Sequence, residues 1–125
     1  MIVGVGFDLI EHCRVERELA QGPWLTANGV FTEEEIGNCE RARRPGAQYA
    51  ACFAAKEATL KALGIDISDV GLFREVEVMK DADGKHSISL NARLQKKAQQ
   101  LGVSRVWLSI ASTKKRAAAL VVLES

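Results

Sequence analysis

At 125 residues, 47% hydrophobic and 26% charged, the composition excludes a disordered polymer and predicts one domain over residues 1–125 with a single core. A formal net charge of +1 provides no overall field for nucleic acid or a membrane surface, so any charge recognition has to be local. Cys13, Cys39 and Cys52 form no C-x-x-C pair, histidines are few and no apolar run could span a bilayer, which argues against a zinc cage or membrane anchor. Reduced thiols in a cytoplasmic protein without a signal peptide are expected.

Residues 2–10 alternate as a strand, with Val3, Val5, Phe7 and Leu9 on one side and Gly4, Gly6, Asp8 and Ile10 on the other. The two glycines leave the Asp8 face bare, an opening for a ligand. A charged helix is predicted over 11–20, ending near Gly22-Pro23. Thr32 and Glu35 form a T-x-x-E capping box that starts a helix running to Arg41, and Arg43-Arg44-Pro45-Gly46 breaks it. A long helix follows over 47–63, with Gly64 as its C-terminal cap. Residues 75–80 and 85–90 alternate around Asp81-Ala82-Asp83-Gly84 and read as a hairpin. Asn91 is placed to cap a helix whose stripe is Leu94, Ala98 and Leu101, closed by Gly102. Val106, Leu108 and Ile110 alternate again, and a turn at 113–116 leads into a last strand over 117–124. The order implies an α+β domain, a largely antiparallel sheet packed against a long central helix.

The long helix carries the chemistry. In FAAKEATLKALG, residues 53–64, Glu57 and Lys61 stand one turn apart on a face otherwise lined by Ala50, Ala54 and Phe53. Two carboxylates from different elements, Asp8 and Glu57, suit a hard cation such as magnesium, which takes one or two protein carboxylates and leaves the rest to water and phosphate oxygens. Lys61 would then meet phosphate as a point charge, and the implied reaction is a phosphoryl-type transfer. On spacing alone the same residues also read as a surface ion pair worth a few tenths of a kcal/mol and a strand-end turn residue. Glu35 reads as a capping residue, and His12 and His86 as surface side chains.

Four blocks occur in order along the chain: GVGFDLIEHCRV at 4–15, FTEEE at 31–35, FAAKEATLKALG at 53–64 and VWLSIASTKKRAAALVVLE at 106–124. Together they resemble the signature blocks of the holo-acyl-carrier-protein synthases, the small bacterial 4′-phosphopantetheinyl transferases, over essentially the whole length. The G-x-G-x-D and K-E-A-x-x-K pair is the specific part.

The resemblance implies the fold of that family and an enzyme of fatty acid biosynthesis. It would move the 4′-phosphopantetheine arm of coenzyme A to a serine hydroxyl of an apo acyl carrier protein, releasing adenosine 3′,5′-bisphosphate. It places Asp8 and Glu57 on the metal, Mg2+, and Lys61 on the diphosphate, with Glu57 and Lys61 as the catalytic pair. The serine proton passes to Glu57 or to water at the metal, and sequence does not choose between them. Gly64 and Ser112 fall at the coenzyme, Lys56 at the substrate rim, and Arg14 with Arg17 at the carrier's acidic helix. Arg41, Arg43 and Arg44 form a basic cluster open to the coenzyme 3′-phosphate, to the carrier or to no ligand at all. A homotrimer with sites between subunits is also implied. Three positions depart from the family pattern: Ser112 stands where a histidine is usual, Asp66 where a glycine is, and His86 where a proline is. The first two also motivate an alternative, a carrier-binding homologue with weak or no transferase activity. An RNA-binding module is disfavoured, because the strands offer few aromatics beyond Phe7 and Trp107.

Overall fold

The computed structural model describes residues 1–22, 24 and 29–125. In chain order it contains β1 (Ile2–Glu11), α1 (His12–Gln21), α2 (Glu33–Glu40), α3 (Pro45–Ala62), a 3-10 segment (Val70–Glu75), β2 (Val76–Lys80), β3 (His86–Leu90), α4 (Ala92–Gln100), β4 (Arg105–Ser112) and β5 (Arg116–Glu124). The strands form a three-stranded sheet in the order β1-β5-β4 and a separate β2-β3 hairpin, all antiparallel. The architecture is the expected α+β one. Only the 3-10 segment has no counterpart in the sequence reading, and Pro23, the expected end of the first helix, lies outside the described residues.

Helix α3 is the centre of the molecule. Residues from Tyr49 to Leu60 are buried around most of its circumference, with Glu57 the half-buried exception. A helix apolar on every side belongs inside a core, and α3 packs on β1, β5, α1, α2 and the hairpin. It begins two residues earlier than expected because Pro45 occupies its first turn, where a missing N–H costs nothing. It ends in a Schellman motif: Gly64 adopts φ 72°, Ile65 N–H donates to Leu60 O and Gly64 N–H to Lys61 O, each at 3.0 Å.

The glycines of β1 serve packing, not ligand entry. A Cβ at Gly6 would stand 1.8 Å from the Ala58 carbonyl oxygen, and one at Gly4 would stand 2.2 Å from that of Ala62. The bare strand face is therefore filled by the backbone of α3. Gly6→Ala is expected to lower stability by about 1–3 kcal/mol or more, since strand and helix must part. Thermal unfolding of the variant checks it, and a melting curve matching the parent would contradict the packing.

The capping box of α2 is formed: Thr32 N–H donates to Glu35 Oε1 at 2.9 Å and Glu35 N–H to Thr32 Oγ1 at 3.2 Å. Asn91 does not cap α4 through its side chain; the Glu75 carboxylate accepts from Leu94 N–H at 3.3 Å instead. Leu94 and Ala98 are buried as expected, but Leu101 lies at the helix end and is exposed. On the outer face of the large sheet Val5, Phe7, Leu9, Trp107 and Leu120 are all exposed.

Candidate active site

Strand alternation turns Asp8 inward beneath α3, where it is 7% exposed. Lys61 Nζ donates to Asp8 Oδ1 at 3.2 Å and reaches Phe7 O at 3.4 Å, tying the helix to the strand. Asp8 Oδ2 is buried and, among the described residues, has no hydrogen-bond partner. Glu57 stands beside it, its carboxyl pushed up to about 7 by burial first and then by the hydrogen bond and charge of Asp8, with Lys61 and Arg14 opposing. These observations fit together. Either a proton on Glu57 or a cation between the two acids would relieve that crowding. The surface ion-pair reading of Glu57 and Lys61 therefore fails, because Lys61 pairs across to the strand and Glu57 is crowded by another acid.

The donor set is two hard carboxylates, one with an orphaned buried oxygen. Among the described residues no group of three His, Cys, Asp or Glu side chains gathers to make a full protein cage. Such a pair suits a cation that draws its other ligands from water and a substrate, as magnesium does. A divalent ion would remove the repulsion that raises the Glu57 proton affinity.

Lys56 is not at this site. It is 0% exposed, its Nζ donating to Glu35 Oε1 at 2.5 Å and to Val76 O at 2.7 Å, and it lies 5.8 Å from the Phe31 ring centroid. One residue is 100° of helix, enough to aim Glu57 at β1 and Lys56 at α2 and the hairpin. Arg14 and Arg17 are exposed together on α1, and Arg14 is near enough for its charge to act on Glu57. Gly64 is exposed at the end of α3, one turn past Lys61.

A second concavity of about 470 Å³ is lined by Arg43, Arg44, Gln48, Lys80, His86 and Ser112 among others, and no carboxylate lines it among the described residues. Arg41 leaves this cluster to donate to Asn38 Oδ1 at 2.6 Å. His86 is not a plain surface side chain; its Nε2 lies 3.1 Å from Gln48 Nε2, and burial holds its pKa below the usual histidine value. His12 is also inside, 5% exposed, with its Nε2 3.4 Å from Ser112 Oγ. The signal for His12 was present in the strand: the inward series Gly4, Gly6, Asp8, Ile10 continues to residue 12.

Comparison with known proteins decides the family. The model of the 4′-phosphopantetheinyl transferase superfamily matches residues 4–121. The chain belongs to that superfamily. The transferase is similar to the holo-[acyl-carrier-protein] synthase of Moorella thermoacetica, 38% identical over 120 residues that cover 96% of this chain and 92% of that one. Its fold is similar to the crystal structure of the Neisseria meningitidis holo-[acyl-carrier-protein] synthase, with TM-score 0.87, 34% identity and full coverage of both chains. It is also similar to the Bacillus anthracis enzyme solved in complex with CoA (3′,5′-ADP), with TM-score 0.78, 35% identity, and coverage of 100% of this chain and 98% of that one.

Proposed function

We propose that the protein transfers the 4′-phosphopantetheine arm of coenzyme A to a serine hydroxyl of an apo acyl carrier protein, releasing adenosine 3′,5′-bisphosphate. The observation that carries this is the meeting of Asp8, Glu57 and Lys61, with Asp8 Oδ2 buried and unpartnered. Asp8 and Glu57 would hold Mg2+, which when bound supplies charge neutralisation at the diphosphate. Lys61 binds diphosphate oxygens, its ammonium already poised at the strand. The serine proton would pass to the Glu57 carboxylate or to water held beside it, both of which lie at the Asp8 end of the site. Arg14 and Arg17 present cations to the carrier beside this cluster, and Gly64 lets the backbone turn at its edge.

The cationic pocket with Ser112 takes the phosphorylated nucleotide end of the coenzyme. Gln48, which lines it, and Glu57 are nine residues apart. That spacing sets them on opposite sides of α3 and about 13 Å apart along its axis. One chain therefore holds the two parts on different sides of a buried helix, and a neighbouring copy is needed to bring its pocket to the carboxylates. The exposed apolar face formed by Val5, Phe7, Leu9, Leu120 and Trp107 gives that copy a surface to cover, in keeping with a homotrimer. A cytoplasmic reaction carried out by one domain accords with the absence, among the described residues, of any helix long and apolar enough to cross a membrane.

The test is incubation with coenzyme A, Mg2+ and an apo carrier, read by the mass of the carrier. A mass gain that is lost on chelation is the expected result. Measurable carrier binding with no mass gain would replace the transferase by a docking homologue. Light scattering under the same conditions is expected to give three copies, and a monomer that remains fully active would refute the shared site.

A further inference from the structure

One residue holds the β4–β5 turn at both of its ends. The His12 backbone N–H donates to Lys115 O at 2.8 Å, and the His12 imidazole Nε2 lies 3.4 Å from Ser112 Oγ. His12 is buried, so this pairing is its route to the pocket; Ser112 is exposed and lines the pocket directly. The other neighbours of Ser112 Oγ are the carbonyl oxygens of Thr113 and Arg116, both at 3.5 Å. The two carbonyls can only accept from the hydroxyl, at a length a ligand oxygen would displace, whereas the imidazole with its proton on Nε2 donates to the oxygen. The oxygen is held in place while its O–H remains available to a ligand.

The surroundings name the ligand chemistry. Arg43, Arg44 and Lys80 supply three positive charges, with Gln48 and His86 as uncharged polar groups, in a space of about 470 Å³. That volume suits a nucleotide-sized group, and the charge suits a phosphate. We propose that His12 is a positioning residue for the phosphorylated nucleotide end of the coenzyme, fixing Ser112 Oγ so that its hydroxyl donates to the ligand phosphate. This rests on the assignment of the pocket under Proposed function. An apolar side chain would fill the space below the turn as well as histidine does, but it would leave the Ser112 oxygen without its buried partner.

The test is steady-state kinetics with coenzyme A varied at saturating apo carrier. His12→Leu and Ser112→Ala are each expected to raise KM for coenzyme A about five- to tenfold and to leave kcat within about twofold. The double variant is expected to match the larger single effect, because the two side chains act as one unit. His12→Gln, which keeps an N–H donor near the Nε2 position, is expected to recover most of the loss. An unchanged KM in His12→Leu, additive effects in the double variant, or no rescue by His12→Gln would each overturn the proposal. If His12→Leu does not fold, Ser112→Ala compared in the His12→Gln background decides the same point. Arg44→Ala separates this inference from the one beneath it. A raised KM there with unchanged His12 variants sinks the positioning role alone, and unchanged KM in both Arg43→Ala and Arg44→Ala sinks the pocket assignment.

Discussion

Asp8→Ala or Glu57→Gln is expected to lower magnesium-dependent transfer by about 10²–10³-fold while the protein stays folded. The loss follows from the geometry: each variant removes one of the two carboxylates facing each other beneath α3, and among the described residues no third one gathers beside them. Both variants should fold: Asp8→Ala gives up only the 3.2 Å contact with a half-exposed Lys61, a modest loss against the packing of β1 on α3. Glu57 is crowded by Asp8 and, among the described residues, no basic side chain forms a salt bridge with it, so Glu57→Gln removes repulsion instead of support. Mass spectrometry of the carrier checks the activity and circular dichroism the fold. Parental rates in either variant would refute the role of the pair.

The same crowding gives a pH signature without any turnover. The Glu57 carboxyl is raised from its ordinary value of 4.5 to about 7, so the metal-free folded protein keeps a proton that the unfolded chain releases. Its contribution to stability is therefore greatest below the unfolded value, falls as pH rises through this window and is lost above about 7. A cation needs the ionised form, so the gain in melting temperature on adding Mg2+ should grow across the same window and level off above it. Differential scanning calorimetry with Mg2+ or with chelator measures this difference. A gain independent of pH, or one that persists in Glu57→Gln, would contradict it.

What could be read from sequence was what is local. The T-x-x-E box of α2, the period-two strand of β1, the Asp81–Gly84 turn and the Gly64 cap involve residues within a few positions of one another, and each formed as expected. The errors share a different cause. Gly4 and Gly6 show a bare strand face, but what covers it is the carbonyl backbone of α3, more than 50 residues away in sequence. The direction of Lys56 has no sequence signal because α3 is apolar on nearly every side, so no amphipathic stripe indicates where a charged residue points. Asn91 lost its capping role to Glu75 through a tertiary contact with no local signature. The Asp8–Glu57 meeting was legible from the chemistry of two acids in apolar company, whereas the Lys61–Asp8 pairing needed the strand and helix to be docked.

The ion pair of Lys56 with Glu35 bears the largest expected effect on stability. Both side chains are 0% exposed, and Glu35 joins three elements: the α2 start through Thr32 N–H, α3 through Lys56, and β2 through Val78 N–H at 2.7 Å. Lys56→Met leaves the Glu35 carboxylate buried without its counter-charge, and Glu35→Ala leaves the ammonium with only Val76 O and the Phe31 ring beside it. Each single replacement is expected to cost about 3–5 kcal/mol, a large share of the stability of a domain this size. The double replacement should cost well under the sum, because no unpaired charge remains, only the two backbone donors of Thr32 and Val78. Urea unfolding of the four proteins gives the coupling. Below its melting temperature Lys56→Met should retain kcat and KM within about twofold, since its side chain points away from Glu57 and toward the hairpin. A stable variant with impaired turnover would reverse the assignment and return Lys56 to the rim of the substrate site.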